Sequence, residues 1–379
     1  MYEEQLVYID SSYMMFYGGA AVLALVACIY LLFRRSNAIV PGITPPLRLR
    51  RWTAAFFAVM FLSHLWWWLI IHYALIGDLW LNFMVAASLD CLMVVPTLMA
   101  VMVVMLQDRR RPLWPIAAIQ VPVVAFFAVC IPQRSNTIVP LIQYYFLFLG
   151  VGFIIYMVLA LRQYRLWLCD NYADLEHKEI RYSIMALVVG LLFNVFYLSG
   201  TTGMVAQYAV QAFDYMFVIL LLWRVETLQT LDDTSDTAAG MLDSEEDTAM
   251  PALETPTTLP PDIDLLLEGR VEATQLYLRH DIKIGDLCKA IGTNRSYLSL
   301  YFKRQNTTYN AYINGLRIQH FIRLYREAVA AKRTFTVQQL AEESGFRNYA
   351  TFGKAFKQQM GETATAWMRD AAEQEPGSL

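Results

Sequence analysis

The chain is dominated by apolar stretches long enough to cross a lipid bilayer. They run at about Met14–Phe33, Trp52–Ile76, Leu79–Leu106, Leu113–Ile131, Thr137–Leu161, Tyr182–Gly200 and Met204–Trp223. About 20 apolar residues suffice for a helical span. In hydrocarbon the backbone has no water to bond, so a helix is the form each stretch must take. These seven stretches account for a hydrophobic share of 57% and a mean hydropathy of +0.37, against a usual soluble share of about 45–50%. The start, Met1–Tyr13, holds Glu3, Glu4 and Asp10 and no Lys or Arg, so no secretory leader is read there.

Loop charge orients the spans, because cytoplasmic loops collect Lys and Arg. The first loop carries Arg34, Arg35, Arg48, Arg50 and Arg51. The third carries Arg109, Arg110 and Arg111, and the fifth Arg162, Arg165, Lys178 and Arg181. Loops on the other side carry only Arg134. The expected arrangement has the amino terminus outside and the carboxyl terminus inside.

The rest of the chain is polar. Residues 225–262 read as a linker; Glu226–Asp262 has ten acids and no Lys or Arg. Low hydrophobicity and charge of one sign favour disorder. Some 35 such residues reach about 30–35 Å. Two roles compete for this run: a solvated spacer, or an acidic competitor of a nucleic-acid partner.

From Arg279 to Arg369 there are 15 Lys/Arg against 6 Asp/Glu, a net charge of +9 in a chain of net −3. A local basic surface suits phosphate. Within it a helix-turn-helix pattern occurs twice. In the first copy Ile284, Leu287, Cys288 and Ile291 form one helical face. Gly292 permits a sharp turn, and Thr293 or Asn294 caps a second helix. That helix packs Leu298 and Phe302 and turns Arg295, Ser296, Ser299 and Lys303 outward. In the second copy Val337, Leu340 and Ala341 precede Gly345, and Phe346, Phe352 and Phe356 pack. Tyr309–Ala331 is expected to be one helix between the copies, about 34 Å long, close to one turn of B-DNA, about 34 Å. Asp264–Arg279 is expected to open the domain as a helix, and Glu373–Leu379 to fray.

Reading helices enter a major groove. The candidate contacts are therefore Arg295, Ser296, Tyr297 and Ser299 in the first copy. In the second they are Arg347, Asn348, Tyr349, Thr351 and Lys354. Arg and Asn read guanine and adenine edges, whereas Lys303, Arg304 and Lys357 suit phosphate.

These residues resemble the DNA-binding domain of the AraC/XylS family of bacterial transcription regulators. Gly345, Phe346, Phe352, Phe356, Lys357, Gly361 and Thr363 match its most specific pattern. Leu287, Gly292, Ser296–Ser299, Phe302, Lys303, Ile313, Asn314, Arg317 and Ile318 match elsewhere. Leu300, Lys354, Ala364 and Met368 depart from it; at Lys354 the bidentate fork of Arg is lost. The resemblance covers about the last hundred residues. Taken with the apolar stretches, the loop charge and the acidic run, it gives an all-α chain: a seven-helix transmembrane bundle over 1–224, the linker, and a cytoplasmic tandem helix-turn-helix domain over 263–372. It also implies double-stranded DNA as partner, the bacterial inner (cytoplasmic) membrane as location, and a homodimer as one possible assembly.

Ionisable or amide groups inside a span are functional candidates. They are His64, His72, Asn82, Asp90, Gln143, Asn194, Gln207, Gln211 and Asp214. His64, Asp90, Asn194 and Asp214 are the candidate ligand contacts, for a small molecule or envelope signal, with Trp66, Trp67 and Trp68 as walls. The competing reading has the same groups bonding helix to helix, at about 0.6 kcal/mol each, and the tryptophans forming an interfacial belt. No Cys or His spacing indicates a metal site, and five scattered cysteines indicate no disulfide framework. No span carries a Lys for a Schiff base, and no HExxH or Walker A motif occurs, so no enzyme or cofactor is expected. The alternative reading is a transporter or membrane enzyme with a regulatory or tethering tail.

Overall fold

The computed structural model describes residues 11–34, 45–72, 78–134, 139–175, 178, 180, 184, 188, 204–231 and 263–374. Every regular element among them is helical. The chain divides into two compact units, Met1–Tyr164 with Ile180–Asp233, and Arg165–Glu179 with Thr234–Leu379.

The first unit begins with α1, Ser11–Phe33, and α2, Leu47–His72. Ala20, Ala24, Ala27, Cys28 and Leu31 are the buried stripe of α1, and the small alanines in it let the two backbones approach. Next comes α3, Leu79–Leu89, capped by Asp78, whose carboxylate accepts from the Trp80 and Leu81 amides. Residues Asp90–Val94 form a π-turn that leads into α4, Val95–Val104. Pro96 explains the widening: it has no N–H to offer the preceding turn, and its ring crowds the Leu92 carbonyl. The unit continues with α5, Trp114–Ala118, and α6, Gln120–Gln133. Then follow α7, Val139–Asn171, and α8, Met204–Thr227.

Six helices of the described residues are long and apolar enough to cross a membrane. The sixth span expected from the sequence, Tyr182–Gly200, lies outside the described residues apart from isolated positions. The fifth is longer than expected. Its helix continues past Leu161 to Asn171 because Ala160, Tyr164 and Leu168 stay buried at four-residue spacing.

The basic loops meet at one end of this unit. Arg48 donates to the Arg111 carbonyl at 3.2 Å, and Arg50 to the Leu31 carbonyl at 2.6 Å. Gln107 donates to the Gln229 carbonyl and accepts from the Leu231 amide. The first and third loops therefore share an end with the exit of α8. Arg134 instead pairs with Asp78 at 3.1 Å, joining the second and fourth loops.

Besides the segment Arg165–Glu179, which includes the end of α7, the second unit holds α9, Ile263–Leu267, a π-turn Glu268–Glu272 and a 3-10 turn Leu276–Leu278. This corrects the single helix expected over Asp264–Arg279. The chain breaks at Gln275, whose φ is 54°. The cause lies in a later helix: buried Arg317 draws in the carbonyls of Tyr277 (2.8 Å), Arg279 (2.7 Å) and His280 (3.4 Å), which a continuous helix would have turned onto itself.

The two helix-turn-helix copies follow. They comprise α10, Ile284–Ile291, and α11, Arg295–Arg304; then α12, Tyr309–Ala330; then α13, Val337–Glu343, and α14, Tyr349–Met360. The chain closes with α15, Ala364–Gln374. Each copy has its own core. Ile284, Leu287, Ile291, Leu298 and Phe302 pack with Tyr309 and Ile313, from the first half of α12. Leu340, Phe346, Phe352 and Phe356 pack with Ile318, Phe321 and Tyr325, from its middle and second half. One helix thus belongs to both cores.

Two glycines make the two turns for different reasons. Gly292 has φ 71° and open space around its missing Cβ. Gly345 has φ 91°, and a Cβ there would stand 2.8 Å from the Leu278 Cα and 2.9 Å from its carbonyl oxygen. Gly292→Ala should therefore cost the left-handed penalty alone, about 1–2 kcal/mol. Gly345→Ala should add a backbone collision and cost more than about 3 kcal/mol. Hydrogen exchange of the α12 amides in the full-length protein distinguishes the two.

His320 predicts a pH dependence. Its Nδ1 lies 2.9 Å from the Tyr277 hydroxyl and 2.9 Å from Arg323 Nη2. A guanidinium only donates, so Nδ1 accepts and the ring is neutral with its proton on Nε2. Burial, and then the neighbouring Arg323 charge, hold the His320 pKa below its ordinary value. The unfolded imidazole takes a proton near pH 6.5 and the folded one resists it. Stability is complete above that pH and falls as pH drops below it, by at most about tenfold per unit in the opening equilibrium. The protection factor around Tyr277, corrected for the intrinsic amide rate at each pH, should fall from pH 7 to pH 5, and His320→Gln should flatten the response.

Candidate nucleic-acid interface

Capping sets where each reading helix starts. Asn294 has extended backbone and its side chain accepts from the Tyr297 amide at 2.9 Å. Asn348 does the same for the Thr351 amide at 2.8 Å. Thr336 and Gln339 form a reciprocal capping box before α13. Because the caps fix the starts, Leu298 and Phe302 turn inward on α11, and Phe352 and Phe356 on α14.

The outward faces carry the predicted contacts. Ser296, Lys303 and Arg304 are exposed on α11, and Arg295, Tyr297 and Ser299 half-buried. On the second copy Arg347, Tyr349, Lys354 and Lys357 are exposed, and Thr351 half-buried. Asn348 is also half-buried, and its oxygen is committed to the cap. Arg347 lies 3.5 Å from Asp281, an exposed pair of little energetic weight. Arg295 donates to the Asn171 side chain.

Not every cation of this region is at the surface. Arg317 is only 1% exposed, and burial brings its pKa down to about 10, which still leaves it charged at neutral pH. Its guanidinium stacks 5.6 Å from the Phe346 ring centre. The sequence pattern marked the position without distinguishing a buried clamp from a DNA contact. The spacer α12 has 22 residues, about 33 Å of helix.

In the first unit, three of the four predicted ligand contacts form a polar cluster. The Asp90 carboxylate accepts from Ser63 Oγ at 2.6 Å, Trp66 Nε1 at 3.2 Å and Trp67 Nε1 at 2.5 Å. His64 Nδ1 lies 2.9 Å from the Met60 carbonyl, and its Nε2 lies 3.2 Å from Gln211 and 3.7 Å from Asp214. Tyr17 donates to the His64 carbonyl at 2.7 Å. Asn194 lies outside the described residues, as does the His72 side chain. Trp66 and Trp67 thus bond a half-buried carboxylate through their indole N–H groups. Among the described residues no group of three His, Cys, Asp or Glu side chains could hold a metal ion.

Residues 287–370 match the model of a protein family described as a helix-turn-helix domain, which is of AraC type. That segment runs from α10 to α15 and takes in both copies and the spacer between them. Comparisons with curated proteins and with solved structures gave no match. Residues 287–370 are thus a helix-turn-helix domain of AraC type, a match that supports DNA binding by the carboxyl-terminal part of the chain.

Substitutions separate reading from anchoring. Arg295→Ala should relax preference at one base position, at about 1–3 kcal/mol of discrimination. Lys357→Ala should weaken all duplexes alike and lower the salt slope by about 1. Binding titrations across sequences and salt concentrations measure both.

Proposed function

We propose that this chain is a membrane-integrated transcription regulator that couples a signal at its apolar helices to sequence-specific binding of a promoter. One observation carries the proposal: a domain with two capped reading helices on a common spacer shares a chain with six helices fit to cross a bilayer. Residues 1–224 are the sensor, 225–262 the linker and 263–372 the DNA-binding domain. The shared end of the Arg-rich loops and the exit of α8 supports an amino terminus outside and a DNA-binding domain in the cytoplasm, at the bacterial inner membrane. Arg295, Ser296, Tyr297, Ser299, Arg347, Asn348, Tyr349, Thr351 and Lys354 face the bases; Lys303, Arg304 and Lys357 face phosphate.

The cluster of His64, Asp90 and Asp214 is the proposed seat of the signal, a small molecule or an envelope component. A ligand that binds one arrangement of the helices better shifts the population toward it. A second copy of the chain is the natural partner on a two-site promoter.

Chromatin footprinting of the intact chain tests this reading. Arg347→Ala combined with Lys357→Ala should lower promoter occupancy about tenfold or more while the protein stays in the membrane fraction. Unchanged occupancy, or a tail cleaved only by protease on the periplasmic side, overturns it. Solute flux through the reconstituted chain would favour a transporter instead.

A further inference from the structure

The last two turns of α7, from Arg165, and the residues after them belong to the second unit, where Asn171 lies against the first reading helix. Asn171 accepts from the Arg295 guanidinium through Oδ1, and its Nδ2 donates to the Trp167 carbonyl at 2.6 Å. Both ends of that amide are therefore fixed. The Asp170 carboxylate is within electrostatic range of Lys303 and Arg295. Tyr172 forms an antiparallel bridge with Lys283, the residue before α10. Asn310 Nδ2 donates to the Tyr172 carbonyl at 3.1 Å and the Ala173 carbonyl at 2.6 Å, and Asn314 Nδ2 reaches the latter at 3.4 Å. Ala173 is 1% exposed and belongs to the core of the first helix-turn-helix copy. Lys178 closes the segment, donating to the Asp174 carbonyl at 2.9 Å over the Tyr172 ring.

A backbone bridge, a buried side chain and three amide contacts make this a docked strap. Its position matters because residues in the first turn of a reading helix reach base edges. A guanidinium that holds the Asn171 oxygen is turned away from a guanine edge, which needs its fork. A carboxylate beside Lys303 also opposes an incoming phosphate.

We propose that Asp170–Leu175 is an intramolecular competitor of DNA for the face of α11, so that the first reading helix is available only when this strap leaves it. This regulation rests on the DNA-binding reading above and concerns the same interface. It gives the signal a covalent route, since the strap is the direct continuation of the long apolar helix α7. The route bypasses the acidic linker.

Full-length protein in detergent micelles, titrated with a fluorescein-labelled random-sequence duplex at low salt, tests the competition. Asn171→Ala and Asn310→Ala loosen the strap from its two sides and leave the net charge unchanged, which removes simple attraction as a cause. Each should tighten binding, by about fivefold if the strap is docked four-fifths of the time. Asn171→Ala should gain less when Arg295→Ala is already present. Hydrogen exchange supplies a readout independent of folding effects: adding duplex to the unaltered protein should speed exchange at the Tyr172 and Ala173 amides. Unchanged or weaker binding in both variants overturns the competition, as does unchanged or slower exchange at those amides on duplex addition. Absence of duplex binding by every form, the unaltered chain included, would overturn the DNA-binding reading itself.

Discussion

The guanidinium of Arg317 is the point on which the DNA-binding domain turns. It sits in the middle of α12, where the two cores meet, and is withdrawn from solvent. A buried charge is tolerated when its donors are used, and here backbone carbonyls of Tyr277, Arg279 and His280 use them. The same stretch brings Leu278 against Gly345, the turn of the second copy. One cation thus ties the entry to the domain, the spacer and the second turn together. Two reading helices held this way keep a fixed separation.

Much of this domain was legible because its determinants are local. Ile284, Leu287, Cys288 and Ile291 follow one helical face, and all are buried in α10. Asn294 caps as expected, Gly292 and Gly345 have positive φ, and the three phenylalanines of the second copy pack. The exceptions depend on contacts distant in sequence. Nothing in Asp264–Arg279 announces that Arg317 will claim its carbonyls and break the helix. The docking of Tyr172 and Ala173 uses backbone carbonyls, which every residue possesses, so no side-chain pattern could mark it. Arg317 itself counts as basic in the sequence, yet adds nothing to the basic surface.

The membrane-like unit shows the same division. Apolar length was enough to locate its helices, since six of the expected stretches appear as long apolar helices. Helix facing was harder to read. These helices are apolar on nearly every side, so composition alone does not separate lipid-facing from partner-facing residues. The polar exceptions resolve it locally: Asp90 gathers Ser63, Trp66 and Trp67 from α2, and His64 meets Gln211 and Asp214 from α8. The two tryptophans show the limit of a belt reading, because an indole N–H finds an intramolecular carboxylate as readily as a headgroup.

The π-turn at Asp90–Val94 has a consequence for phase. Such a turn accommodates one residue more than the α-helical path, and one residue is worth about 100° of rotation. A helical wheel drawn unbroken from Leu79 to Val104 therefore assigns α4 to the wrong side. The extra residue is slack wound into the helix: a single deletion inside the turn would take up that slack and leave the side chains beyond Val94 at their present azimuth, whereas a deletion elsewhere in the span would swing them by about 100°.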